Sequence, residues 1–147
     1  MNKMKKMVMM VAVLVLTSLT LVACGKPDIS GKWYSTDNSN EFQMYLQIKD
    51  DKVTLNYAFV NYTKEGLFSS VESEVKSGKM LTGKVISGSK IEITETYQVE
   101  GAKGNPFDGV EEFNYSLSKD KESLSLSIEG EESSSDFVKK NPVATLE

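Results

Sequence analysis

Two neighbouring runs of strict alternation constrain the fold of this chain more than anything else in it. In residues 41–48, Phe42, Met44, Leu46 and Ile48 share one side, while Glu41, Gln43 and Gln47 take the other. In residues 52–60, Val53, Leu55, Tyr57 and Phe59 alternate with Lys52, Thr54 and Asn56. A period of two marks a strand with one face buried. Asp50-Asp51 between the runs reads as a hairpin turn. Similar alternation predicts strands over residues 31–36, 70–76, 80–87, 90–99, 110–118, 123–129 and 136–140. Short polar or glycine-bearing stretches near Asn38, Gly78, Gly88 and Lys119 separate them, and longer loops span 61–68 and 100–109. No part of this region keeps a helical period. The expectation is an all-β domain over residues 31–140, an antiparallel up-and-down meander of eight or nine short strands. Closure into a barrel follows from the need to leave no exposed edge. Residues 141–147 read as a frayed C-terminal tail.

The first 24 residues have a different character. Lys3, Lys5 and Lys6 precede an apolar run from Met7 to Leu16, then a smaller mixed region ends Leu21-Val22-Ala23-Cys24. That order is the pattern of a secretory signal peptide over residues 1–23. As a membrane span it is marginal, because the apolar run stops at Leu16 and spanning takes about 20 such residues. The ending resembles the lipobox of bacterial lipoproteins. The resemblance implies cleavage before Cys24 and transfer of a diacylglyceryl group to its sulfur, and leaves room for a further chain such as palmitate on its amine. Two chains anchor stably where one binds marginally. The cysteine and residues 25–30 would then be a short tether, reaching at most about 20 Å. The expected location is the extracytoplasmic face of the cell membrane, held through acyl chains on Cys24.

Composition removes several function classes. There is no histidine and Cys24 is the one cysteine, so no internal disulfide, zinc or haem site is expected, and no cofactor. Three of the 17 lysines leave with residues 1–23, so 14 face 21 carboxylates, a side-chain balance of −7 with no arginine. Such a domain is a poor nucleic-acid binder. Its acidity serves solubility first and attraction of cationic partners second. Without histidine or a Gly-x-Ser-x-Gly elbow, the serine-rich stretches lack a base, and the chain is not expected to be an enzyme.

The first predicted strand begins Gly31-Lys32-Trp33. This resembles the opening of calycin and lipocalin-like barrels, whose first strand begins Gly-x-Trp. In that family an arginine near the end of the last strand packs over the tryptophan. With no arginine here, Lys139 or Lys140 would have to take its place.

Candidate site residues come from register. Two-residue turns at Gly78-Lys79 and Gly88-Ser89 would pair Ser73 with Lys84 and Val75 with Thr82, and would set Thr82 beside Glu95. Lys84 and Glu95 would then point inward with Ile86, Ile91, Ile93 and Tyr97. A charge pair there needs good geometry to offset its desolvation, so it would imply a wet or ligand-holding interior. The plainer alternative puts Lys84 outside and Glu95 at a rim, since charged side chains are rarely fully buried. Up-and-down order would group the tether with the turns near Asp50, Gly78, 100–109 and 130–133. The opposite mouth would be bordered by Tyr62, Leu67 and Phe68, with Tyr57 and Tyr97 inside. On this basis the domain binds a small apolar or amphipathic ligand. The alternative is an acidic module that holds a cationic peptide, as immunity-type lipoproteins do.

Overall fold

A computed structural model describes residues 26–64, 66–67 and 70–146. The expectations for residues 1–23, Cys24 and Phe68 therefore lie outside the described residues. Eight antiparallel strands follow one another: β1 Gly31–Ser35, β2 Phe42–Lys49, β3 Lys52–Lys64, β4 Val71–Val85, β5 Lys90–Thr96, β6 Glu112–Leu117, β7 Ser123–Ser127 and β8 Ser134–Val138. Each pairs with the next, and β8 returns to β1 through Tyr34 opposite Val138 and Ser35 opposite Phe137, closing the barrel. This eight-stranded up-and-down barrel is compatible with a lipocalin-like domain. Among the described residues all the strand pairings lie within residues 31–138, so residues 26–147 contain the whole closed barrel.

Alternation does what the sequence demands of it. Leu46 and Ile48 on β2, Val53, Leu55 and Tyr57 on β3, Leu81 and Val85 on β4, and Ile91 on β5 all turn inward and are buried. Phe113, Tyr115, Leu124, Leu126 and Phe137 complete the core from β6 to β8. Trp33 lies among them, and its indole N–H donates to the Ile29 carbonyl at 2.8 Å. Ile29, buried just before β1, closes this end of the barrel.

The hairpin expected at Gly78-Lys79 is absent. Residues 71–85 are one strand, so the count is eight and not nine. Gly78 serves close packing here. It sits opposite Tyr57, and a Cβ on it would come within 2.9 Å of the Tyr57 hydroxyl. The expected pairs Ser73–Lys84 and Val75–Thr82 are replaced by Ser73–Tyr62 and Val75–Val60. Fusing two strands also moves every later loop to the other end. The turns at Asp50-Asp51, 86–89 and 118–122 lie at the tether end, where Lys26 approaches Asp51 at 3.7 Å. The connections 36–41, 97–111 and 128–133, and the ends of β3 and β4 at Lys64 and Val71, lie at the far end.

Two β-bulges interrupt the alternation, one between Leu55/Asn56 of β3 and β4, the other between Thr82/Gly83 of β4 and β5. The second leaves Thr94 unmatched, because Gly83 faces Ile93 and Thr82 faces Glu95.

The tail is not frayed either. Gln43 on the outer face of β2 donates to the Ala144 carbonyl and accepts from Leu146 N–H and the Asn141 amide. Asn38 ties β2 to the tail at this corner, donating to the Met44 carbonyl and to the Asn141 side-chain oxygen and accepting from Met44 N–H. These bonds explain why two outer-face polar side chains, Asn38 and Gln43, are buried.

Candidate functional site

β3 and β4 are much longer than the strands beside them. Beyond Val60 on one side and before Lys76 on the other, they leave the barrel as a two-stranded arm at the far end. Its concave face continues the barrel interior and carries Phe59, Asn61, Thr63, Glu72, Glu74 and Lys76. Its convex face carries Val60, Tyr62, Lys64, Val71, Ser73 and Val75.

The far mouth is covered by the 97–111 connection. Asn105, 8% exposed, pins it: the side-chain amide donates to the carbonyls of Met80 and Tyr97, and its oxygen accepts from Phe107 N–H at 2.8 Å. Phe107 is thereby set edge-on against Phe113, ring centres 5.4 Å apart. Glu100 joins the connection to β4. Its carboxylate accepts from the Lys76 ammonium at 2.7 Å, and its N–H donates to the Tyr57 hydroxyl at 3.0 Å. The Glu100 bond holds Lys76 above the ordinary lysine range.

Between this cover and the barrel wall lies a cavity of about 160 Å³. Met44, Leu55, Phe107, Phe113, Leu126 and Phe137 form its apolar wall, and Ser127, Ser133, Ser135 and Glu131 give its rim polar groups. An apolar cavity of about 150 Å³ holds a benzene-sized molecule. Below it the barrel is filled, with Trp33, Leu46, Leu55, Leu81, Ile91, Leu124 and Phe137 fully enclosed.

Of the residues expected to line an interior site, the five that are described, Tyr57, Tyr62, Lys84, Glu95 and Tyr97, do not converge. Tyr57 is buried inside and stacks on Phe59. Tyr62 is 55% exposed on the arm. Lys84 points outward opposite Glu92, in an open depression of about 650 Å³ that it shares with Lys52, Lys79, Thr54, Thr82 and Thr94. Glu95 is also on the outer wall, where its carboxylate accepts from the Tyr97 hydroxyl at 2.8 Å and Lys79 sits 6.0 Å from the Tyr97 ring. The inward Lys84–Glu95 pair is therefore corrected to two outward residues. The extra residue Thr94 shifts the phase of β5, so Ile91 and Ile93 face in while Glu95 faces out. Sequence reasoning passed over Asn105 and Phe107. An Asn-Pro turn signal followed by an aromatic inside a long loop was the available cue.

No protein-family model matches this chain, and no curated protein or solved structure gives a significant match.

Proposed function

We infer that the chain is a lipid-anchored barrel of lipocalin-like type on the extracytoplasmic face, whose far mouth takes a small amphipathic molecule. The observation that carries this reading is the apolar cavity at the far mouth, closed by Phe107 and rimmed by Glu131 and three serines. An apolar body of about six carbons fits the volume, and a donor head suits the rim. Lys139 supports the lipocalin-like part. Its ammonium lies 5.5 Å from the Trp33 ring centre, just past the last strand, where the family places an arginine. Lys26 beside Asp51 supports the orientation, since an anchor two residues earlier would leave the mouth facing away from the membrane.

Attachment and binding are tested separately. Cells fed labelled palmitate are expected to label the full chain and to lose that label on Cys24→Ser. Equal labelling of the variant, or none of the wild type, removes the anchor. For the mouth, benzylamine titrated into residues 26–147 is expected to shift the NMR signals of Met44, Leu55, Leu126 and Ile128. Ser135→Phe fills the mouth and should abolish those shifts with the fold retained. Shifts scattered over the outer wall, or unaffected by Ser135→Phe, sink the ligand reading.

A second reading, an interaction module for a cationic peptide, is favoured by the arm. Among the described residues, Tyr62, Leu67, Val71 and Val75 on the arm and its tip are large apolar side chains left exposed, Leu67 at 93%. Apolar side chains gathered on one exposed feature mark an interaction site.

A further inference from the structure

We propose that residues Val71–Val75 of the arm are an open sheet edge that takes an extended segment alternating cationic and apolar residues as an added strand. The proposal deepens the second reading above and rests on it.

Among the described residues the edge is free by geometry. β4 pairs with β3 along its whole length, from Lys64 opposite Val71 to Lys52 opposite Lys84. On its other side β5 reaches only as far as Leu81, and Tyr97 N–H bonds Met80. The segment around Glu100 then covers β4 at Lys76. Beyond Lys76, toward the tip, the second edge of β4 has no backbone partner among the described residues. Proteins ordinarily blunt such an edge with charged side chains, proline, a bulge or a covering loop. Val71-Glu72-Ser73-Glu74-Val75 carries no proline, its pairing with β3 is unbroken by a bulge, and its protection is the two charges of Glu72 and Glu74.

The side chains say what fits. Val71, Ser73 and Val75 stand on the convex face beside Lys64, Tyr62 and Val60, so the cation already present at this edge is on the face away from Glu72 and Glu74. Glu72 and Glu74 stand on the concave face beside Thr63 and Asn61; neither carboxylate lies within 4.0 Å of an ammonium among the described residues, and the nearest cation on their face, Lys76, is bonded to Glu100 while feeling the charge of Glu74. A strand added here places its residues in the same alternation. Those opposite Glu72 and Glu74 are favoured as lysine or arginine, and those opposite Val71 and Val75 as apolar. The two glutamates also reject the commonest wrong partner. A second copy paired about Ser73 would set Glu72 against Glu74 twice, and like charges directly opposite destabilise a sheet. The pattern discourages self-association and leaves the edge open to a cationic strand.

The test uses residues 26–147 and a blocked seven-residue peptide alternating lysine with valine. Two control peptides have the same composition, one N-methylated at alternate amides and one with its lysines and valines in separate blocks. The alternating peptide is expected to slow amide hydrogen exchange within Val71–Val75. Both controls are expected to bind at least tenfold more weakly. Glu72→Gln and Glu74→Gln, exposed changes that leave the fold intact, are each expected to weaken binding by up to about fivefold, the range of one cross-strand charge pair. Binding that ignores N-methylation and leaves exchange at Val71–Val75 unchanged overturns the added strand, while a general acidic surface for cationic peptides survives. Failure of every lysine peptide to bind at low salt overturns both.

Discussion

Replacing Trp33 with alanine is expected to cost the barrel about 3–5 kcal/mol, the usual range for removing a large buried aromatic. Three effects add at this one position. The indole is 1% exposed within the closed core, so truncation leaves a cavity that eight mutually paired strands cannot collapse into freely. The Ile29 carbonyl loses the indole N–H that it accepts at 2.8 Å, and Ile29 is the buried residue that closes the tether end. Lys139 loses the ring it lies over, worth roughly 0.5–1 kcal/mol at an exposed site. A domain of this size has about 5–15 kcal/mol in all, so roughly a fifth of its stability or more is at stake. Thermal melts of residues 26–147 should show the midpoint falling by about 10–20 °C. Trp33→Phe should recover more than half of the loss, because most apolar burial returns and only the N–H and part of the volume are missing. Lys139→Ala should cost no more than about 1 kcal/mol. A loss under about 1 kcal/mol for Trp33→Ala would mean that this end of the barrel is not packed around the indole.

Trp33 was legible because its signal was local. Gly-x-Trp stands at the head of the first alternating run, and the resemblance it carries, with no arginine in the chain, left Lys139 or Lys140 to lie over the ring; the structure has Lys139 there. β2 and β3 were legible for a related reason. Their two alternating runs meet at one two-residue turn, and the observed register from Phe42 opposite Phe59 to Lys49 opposite Lys52 is the one those runs dictate.

The middle of the chain was misread where period two fails physically. A glycine followed by lysine looks the same whether it makes a turn or lets two strands approach. At Gly78 the deciding fact is the Tyr57 hydroxyl, contributed by a residue 21 positions earlier. At Gly83 it is the Glu92 carbonyl, which a Cβ would meet at 2.6 Å. That crowding accompanies the Thr94 bulge and the change of phase that puts Glu95 outside. Both errors are long-range contacts that local pattern cannot register. They also hid the arm, since residues 70–76, read as a separate strand, seemed to need a place in the barrel wall.

The site had the same difficulty in a sharper form. Its closing residues lie in a loop whose glycines and proline suggested only irregular chain, yet this loop is held by hydrogen bonds to two separate parts of the structure. Asn105→Ala is expected to cost about 2–4 kcal/mol and to release the mouth. The Met80 carbonyl keeps a donor, because Tyr97 N–H also bonds it at 2.9 Å. The Tyr97 carbonyl and Phe107 N–H lose the partners that Asn105 supplies, and each such loss costs roughly 1–3 kcal/mol where water cannot replace it. Hydrogen exchange should quicken through 97–111 while β2 and β3 stay protected, since the strands keep their own ladder. Phe107 should leave Phe113, and benzylamine binding at the mouth should weaken with it. Asn105→Asp makes the same point electrostatically. Ionised, it sets a carboxylate against two carbonyl oxygens, which favours its protonated form and raises its folded-state pKa. For a raised pKa the stability is present below the unfolded value and is lost as pH rises through the folded one. Asn105→Asp should therefore approach wild-type stability in acid and fall behind it toward neutral pH. A deficit independent of pH, together with unchanged exchange through 97–111 in Asn105→Ala, would show that this side chain does not hold the cover in place.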